Sequence, residues 1–257
     1  MLFFLNGERF TNVMSDFIKS FLFLFYILAV TGCSNKGHFD KEEDVELIAS
    51  ALSAKSLTEM ISLEAVFGRT VVVKNNSLKF EISREQEKIN NGLRSEVSIN
   101  YPFKEAEEII YSFEIFIPNS FKSDPSGRWS SLAQWHDQPD PALGETWSTF
   151  PARSPLVLVF DKLIDDNQIF GLNYGEQTVE LPLIIGKWNK LQFHFKWSTD
   201  SKGFLVLNVN DGTEFKFHGV NMHNKYQHYL KIGLYRHPQI FGSNHVYYRS
   251  LNIHSKN

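Results

Sequence analysis

The chain has 257 residues, with 26 Lys and Arg against 29 Asp and Glu, for a formal charge of −3. This near balance excludes a nucleic-acid partner held by bulk positive charge, and a single cysteine excludes a disulfide framework. The length suits one large domain, and 23 Phe with 14% aromatic residues favour a sheet core over a helical bundle.

Near the N-terminus, Lys19 precedes an apolar run from Phe21 to Val30. The run is short for a membrane span and fits the h-region of a secretory signal. Val30-Thr31-Gly32-Cys33 then resembles a bacterial lipobox, in which the cysteine is lipidated and becomes the mature N-terminus. Met14 makes a more ordinary start than Met1. The expectation is a signal peptide over residues 1–32, lipidation at Cys33 and export, with the protein anchored to the bacterial cell envelope at the outer membrane or cell surface. A signal-anchor helix with an incidental cysteine is the alternative. The polar stretch Ser34 to Asp44 reads as a flexible tether, and Val45 to Met60 could hold a short helix. Residues 33–60 are therefore assigned to the tether and 61–257 to the domain.

From Ile61 onward the pattern is strand-like. Strands are predicted at Thr70 to Lys74, Ser77 to Ile82, Ile109 to Ile117, Leu156 to Phe160, Lys190 to Trp197, Phe204 to Val209 and Thr213 to Phe217. Asn210-Asp211-Gly212 between the last two is a hairpin signal. No helical periodicity runs for a dozen residues, and no repeat is present. Many short strands, each with one polar and one apolar face, predict an all-β fold: a two-sheet antiparallel β-sandwich of jelly-roll type with a concave substrate groove.

Three segments put reactive side chains at spacing i, i+2: Leu93 to Ile99 (LRSEVSI), Ala133 to Asp137 (AQWHD) and Tyr229 to His237 (YLKIGLYRH). Alternation along a strand places Arg94, Glu96 and Ser98 on one face, Gln134 and His136 on one face, and Tyr229, Lys231, Gly233, Tyr235 and His237 on one face. Leu93, Val97, Ile99, Trp135, Leu230, Ile232 and Leu234 turn to the core. Residues 187–257 hold 10 basic and 3 acidic residues, so the last strands read as a basic face suited to a polyanion.

These side chains fit β-elimination from a uronic acid. The planar fork of Arg94 and the amide of Gln134 could neutralise the carboxylate and stabilise an enolate-like transition state. His136 is an imidazole, the side-chain type suited to general base chemistry near neutral pH, and could take the proton at carbon 5. Tyr235 could protonate the departing oxygen on carbon 4, or act as base if nearby cations such as Lys231 lower its pKa. Each segment also has an ordinary reading: an Arg94–Glu96 ion pair, a surface histidine, a polar strand face.

The order R-S-E-V, Q-W-H and Y-L-K-I-G-L-Y-R-H resembles the signature regions of jelly-roll polysaccharide lyases. In alginate lyases of this type the pattern is R-[ST]-E-L, Q-[IV]-H and Y-F-K-A-G-x-Y-x-Q. The phrasing here is similar to the glucuronan-lyase and heparin-lyase-I-like group. Trp135, Ile232 and His237 depart from the alginate pattern. The resemblance implies that Arg94, Gln134, His136 and Tyr235 are catalytic, and that Glu96, Tyr229, Lys231 and His237 bind substrate. It implies an acidic polysaccharide as partner and no cofactor, acting as a monomer. A structural Ca2+ held by loop Asp and Asn residues could accompany the fold. The rival from another class is a non-catalytic carbohydrate-binding surface lipoprotein. A glycoside hydrolase would need paired carboxylates flanking the bond, and no E-x-D-x-x-E run occurs.

Overall fold

The computed structural model describes residues 42–151 and 153–256. The leader, Cys33 and the start of the tether lie outside these residues. Among those described, no helix is long and apolar enough to cross a membrane.

Helix α1 (Glu42–Ala51) opens on Glu42, Glu43 and Asp44, negative charges that suit the positive end of the helix dipole. Its buried stripe of Ile48, Ala49 and Ala51 continues through Leu52 to Leu57, on a 3-10 helix spanning Lys55–Met60, and all of these join the main core. Leu251 N–H donates to the Leu52 carbonyl at 2.7 Å. The ordered body therefore takes in residues expected to belong to the tether. A boundary at Ile61 is too late, because this apolar stripe has sheet to cover.

Among the described residues, fourteen strands make two seven-stranded sheets. The first has the order β1 (Ile61–Glu64), β4 (Leu93–Ile99), β13 (Tyr229–Arg236), β6 (Ser130–His136), β7 (Val157–Ile164), β8 (Asn167–Tyr174) and β9 (Gln177–Glu180). The second runs β12 (Thr213–His218), β11 (Phe204–Val209), β10 (Trp188–Lys196), β5 (Glu108–Phe116), β14 (Asn244–Ser255), β3 (Leu78–Ile82) and β2 (Val71–Val73). Neighbouring strands are antiparallel in both, and the fold is an all-β jelly-roll sandwich.

Aromatic rings fill the space between the sheets. Trp135 on β6 lies 4.7 Å from Phe193 and 5.0 Å from Phe195 of β10, centroid to centroid. Phe195 stacks on Trp197 at 4.3 Å. Burying Trp135 inward turns its neighbours Gln134 and His136 to the opposite face.

Two-residue turns set several registers. Asp165 and Asp166 link β7 to β8 with φ of 48° and 61°, and Asn75 and Asn76 link β2 to β3 with φ of 50° and 54°. Left-handed pairs of this kind match strand twist in tight hairpins. Asn210 and Asp211 do the same before Gly212, as the sequence predicts.

The basic excess over residues 187–257 does not gather on one face. Lys190, Lys196, Lys216 and Arg249 lie on β10, β12 and β14 of the second sheet, Lys231 and Arg236 on β13 of the first, and the others outside the strands. Lys190 pairs with Asp211 at 2.8 Å, Lys216 with Glu214 at 2.8 Å and Arg249 with Glu114 at 2.7 Å. Counting charge along the chain cannot tell which sheet a strand will join.

Candidate active site

β13 sits between β4 and β6, which brings the three reactive segments side by side. Tyr235 pairs with Arg94, Gly233 with Glu96 and Lys231 with Ser98 on one side. Lys231 also pairs with Gln134, and Tyr229 with His136, on the other. Gly233 has φ of 133° and packs so closely on β4 that an added Cβ would collide with the Ser95 carbonyl oxygen. Only glycine fits between Lys231 and Tyr235 in this conformation.

A cleft of about 780 Å³ opens over this part of the first sheet, lined in part by Glu64, Arg94, His136, Trp147, Tyr229 and Lys231. Its floor is a charge network. Glu64, on β1, accepts from Arg94 Nη1 at 2.9 Å, Ser98 Oγ at 2.8 Å and Asn90 Nδ2 at 3.1 Å, and lies 2.6 Å from Lys231 Nζ. Glu96 lies deeper, 1% exposed. It accepts from Gln134 Nε2 at 2.6 Å and from Arg94 Nη1 at 3.4 Å. Arg94 Nε is buried with no hydrogen-bond partner among the described residues.

The two carboxyls titrate differently. Burial drives Glu64 upward, but Lys231, then Arg94 and the Ser98 hydrogen bond, outweigh it and hold its pKa at about 2. Burial dominates at Glu96 and raises its carboxyl despite Lys231 and Arg94, with the negative charge of Glu64 adding to the rise. Tyr229 is pushed above the usual phenol range by burial and by the same two carboxylates, so it is a protonated donor near neutral pH.

His136 faces the cleft beside Tyr229, their ring centroids 5.7 Å apart. His136 Nδ1 lies 2.7 Å from the Asp137 carbonyl oxygen. Trp147, on the loop after β6, meets Tyr229 edge-on at 6.4 Å and is 62% exposed.

Arg94, His136, Tyr229 and Lys231 thus share the cleft, and Gln134 and Glu96 lie just beneath its surface. Tyr235 stands farther along β13. Its ring carries the Arg94 guanidinium at 4.2 Å and meets Trp129 at 5.1 Å. His237, past the strand end, does not line the cleft. Its backbone N–H donates to the Trp129 carbonyl at 3.2 Å, and its Nδ1 accepts from Gln239 N–H at 3.2 Å. The Arg94–Glu96 ion pair of the ordinary reading is present, but as one edge of a larger network.

Three contributors escape the sequence reading. Glu64 is one polar position in a four-residue strand, and only its pairing with Glu96 brings it to the site. That pairing also gives the cleft two carboxylates where no sequence run announces a pair. Asn90 sits on the turn of Asn90 and Asn91, with φ of 47° and 61°, which overhangs β4. Trp147 lies in a long loop with no periodicity. Among the described residues no group of three or more His, Cys, Asp or Glu gathers to hold a metal.

A family profile described as "Polysaccharide lyase" matches residues 64–252. No curated protein sequence matches the chain. Among solved structures, an endo-beta-1,4-glucuronan lyase from the fungus Trichoderma reesei aligns with a TM-score of 0.53 at 17% identity, covering 76% of this chain and 87% of that one. Alginate lyase AlyC3 aligns with a TM-score of 0.55 at 15% identity, covering 74% and 79%. Alginate lyase Aly36B aligns with a TM-score of 0.57 at 9% identity, covering 86% and 93%. At these identities the likeness concerns the fold.

Proposed function

The chain belongs to the polysaccharide lyase family, and from that premise we propose that it cleaves a uronic-acid-containing polysaccharide by β-elimination. The observation that carries this reading is the convergence, in one open cleft, of two cationic carboxylate-binding groups, Arg94 and Lys231, with an imidazole, His136. A carboxylate ligand suits the guanidinium fork of Arg94, which lines the cleft. Glu64 already occupies part of this donor set, so the substrate carboxylate shares or displaces it.

In the proposed reaction Arg94 and Gln134 hold the uronate carboxylate, where charge grows as the proton at carbon 5 leaves. His136 takes that proton. The electron pair forms the carbon 4–carbon 5 double bond, the bond from carbon 4 to the glycosidic oxygen breaks, and Tyr229, the phenol beside His136, protonates that oxygen. Tyr235 lies six residues farther along β13 and outside the cleft lining. Lys231 holds the sugar, while Glu96 and Tyr235 hold the donors Gln134 and Arg94 from behind. The residues present require no cofactor for these steps. A structural neighbour, a mutant of alginate lyase Aly36B, was solved in complex with alginate trisaccharide, and a comparable acidic glycan is the proposed substrate class here. We further propose export and membrane attachment through Cys33, with the domain acting as a monomer.

The test is incubation with a panel of glucuronan, alginate and heparin-type polysaccharides, following the ultraviolet absorbance of the new double bond. Product absorbance with one or more is expected. Tight binding of an acidic glycan with no unsaturated product would replace this reading with that of a carbohydrate-binding lipoprotein. For the anchor, Cys33→Ser should move the protein from the membrane to the soluble fraction. Retention in the membrane would favour a signal-anchor.

A further inference from the structure

Asp137 follows His136 where β6 ends, and it is fully buried, 0% exposed. Continued alternation would send its side chain to the core. Instead the chain leaves the sheet there, and the carboxylate lies along the edge of its neighbour's imidazole. Asp137 Oδ1 is 3.2 Å from His136 Nδ1, and Oδ2 is 3.6 Å from Arg153 Nη1. Neither oxygen has a well-formed hydrogen bond among the described residues. A buried carboxylate in this state is costly unless it serves a neighbouring cation.

The geometry around Nδ1 restricts the proton. Nδ1 faces the Asp137 carbonyl oxygen at 2.7 Å and the Asp137 carboxylate at 3.2 Å. Two oxygens on one side require a hydrogen on that nitrogen, so the lone pair of the neutral ring lies on Nε2. Nε2 has no partner among the described residues, and the ring lines the cleft. The other charged or titratable groups facing Asp137 are Arg153, His223 and His228. His228 is held near pKa 4 by burial and so stays neutral. Its Nε2 is taken by the His223 backbone N–H at 3.1 Å, and His223 Nε2 by the Ser154 carbonyl at 2.9 Å. That leaves His136 as the imidazole Asp137 can serve.

We propose that Asp137 is a positioning residue, which fixes His136 in the Nδ1–H tautomer and stabilises the imidazolium formed when Nε2 takes up a substrate proton, while Arg153 holds the other carboxylate oxygen. A carboxylate behind a catalytic imidazole orients the ring and favours its charged form. The consequence for rate rests on the β-elimination reading; the tautomer does not.

The test uses the full chain labelled with nitrogen-15, with long-range proton–nitrogen spectra of the histidine rings recorded from about pH 5 to 9, spanning the usual imidazole range. His136→Gln assigns the signal. The neutral ring of the parent should carry its proton on Nδ1. Asp137→Asn should shift population toward the Nε2–H tautomer and lower the titration midpoint. It should also move the acid limb of kcat/KM to lower pH, with kcat falling about ten- to a hundredfold, part of the worth of a positioned base. KM should change little. A parent ring protonated on Nε2, or an Asp137→Asn ring with unchanged tautomer and midpoint, overturns the proposal. If circular dichroism shows that Asp137→Asn does not fold, Arg153→Gln carries the test. Freed from Arg153, the carboxylate should raise the His136 midpoint, and an unmoved midpoint overturns the proposal. If no polysaccharide in the panel is cleaved, the elimination reading falls while the spectra still decide the role of Asp137.

Discussion

Glu64 and Glu96 face each other across the β1–β4 pair, yet their carboxyls are driven in opposite directions. Both touch Arg94 Nη1. Glu64, nearer the opening, also has Lys231, Ser98 and Asn90, whereas Glu96 is buried behind it with Gln134. Two acids thus share one guanidinium, and solvent access with the number of donors decides which holds its charge firmly.

Glu64→Gln removes the counter-charge of Lys231, which is 3% exposed. Breaking a buried pair from one side should cost about 3 kcal/mol of stability, read as a lower urea midpoint. The cleft gains one net positive charge. KM for an acidic polysaccharide should therefore fall severalfold at low salt and climb more steeply as salt is added. A higher KM at low salt would mean that Glu64 itself contacts the sugar.

Gln134→Ala and Arg94→Ala should each raise the barrier by about 2–4 kcal/mol, the scale of one lost donor at a growing charge. The sequence alone suggests that neither change should affect stability, as for residues facing a groove. The structure revises this for both: Arg94 is 8% exposed and separates two carboxylates, and Gln134 is buried and donates to buried Glu96. Each change should lower the melting temperature as well as the rate. Full turnover in Gln134→Ala would remove the amide from the mechanism.

The two tyrosines of β13 can be separated kinetically. Tyr229→Phe should reduce kcat by about two to four orders of magnitude, the worth of a positioned acid, because this phenol stands beside His136. Tyr235→Phe, which keeps the ring against the Arg94 guanidinium, should change kcat little. The reverse pattern would move the proton-donating role to Tyr235.

Trp147 presents a largely exposed ring at the cleft wall. Such a surface suits the apolar face of a sugar. Trp147→Ala should raise KM about tenfold and leave kcat nearly unchanged, with the larger effect on longer oligosaccharides. Equal loss on the shortest cleavable substrate would place the ring at the scissile bond.

Asp161 on β7, outside the cleft lining, gives a pH-dependent stability. Burial raises its pKa to about 6, against hydrogen bonds from Ser123 at 2.5 Å and Gln168 at 3.0 Å. The folded state holds this proton more tightly than the unfolded chain, where Asp titrates near about 3.9. Stability from this group is therefore complete below the unfolded value and is lost as pH rises through about 6. Asp161→Asn keeps an acceptor for both donors and removes the charge. It should gain about 1–3 kcal/mol at pH 8, with the gain shrinking below pH 6, as measured by urea melts. A gain independent of pH would point to packing.

Most strands could be read from alternation, and the three reactive segments from their i, i+2 spacing, because each depends on local pattern. Other features depend on pairing across the chain. β14 escapes because its register shifts between Arg249 and Asn252, with Ser250 at φ 56°, which breaks the alternation. Asp165 and Asp166 look like loop charges in sequence and prove to be the hairpin turn. Glu64 needs its partner Glu96, and Asp137 needs the strand to stop at His136. No short window of sequence contains either fact.

β13 lies between β4 and β6 although it is made about a hundred residues after them in the chain. Arg94 and Gln134 therefore have no shared neighbour until a late segment is inserted between two early ones. The cleft cannot exist on a partly folded fragment, and closing such distant pairs is slow in all-β proteins. Return of catalytic activity during refolding should thus report the insertion of this one strand, and should lag behind fluorescence or dichroism signals from the aromatic core.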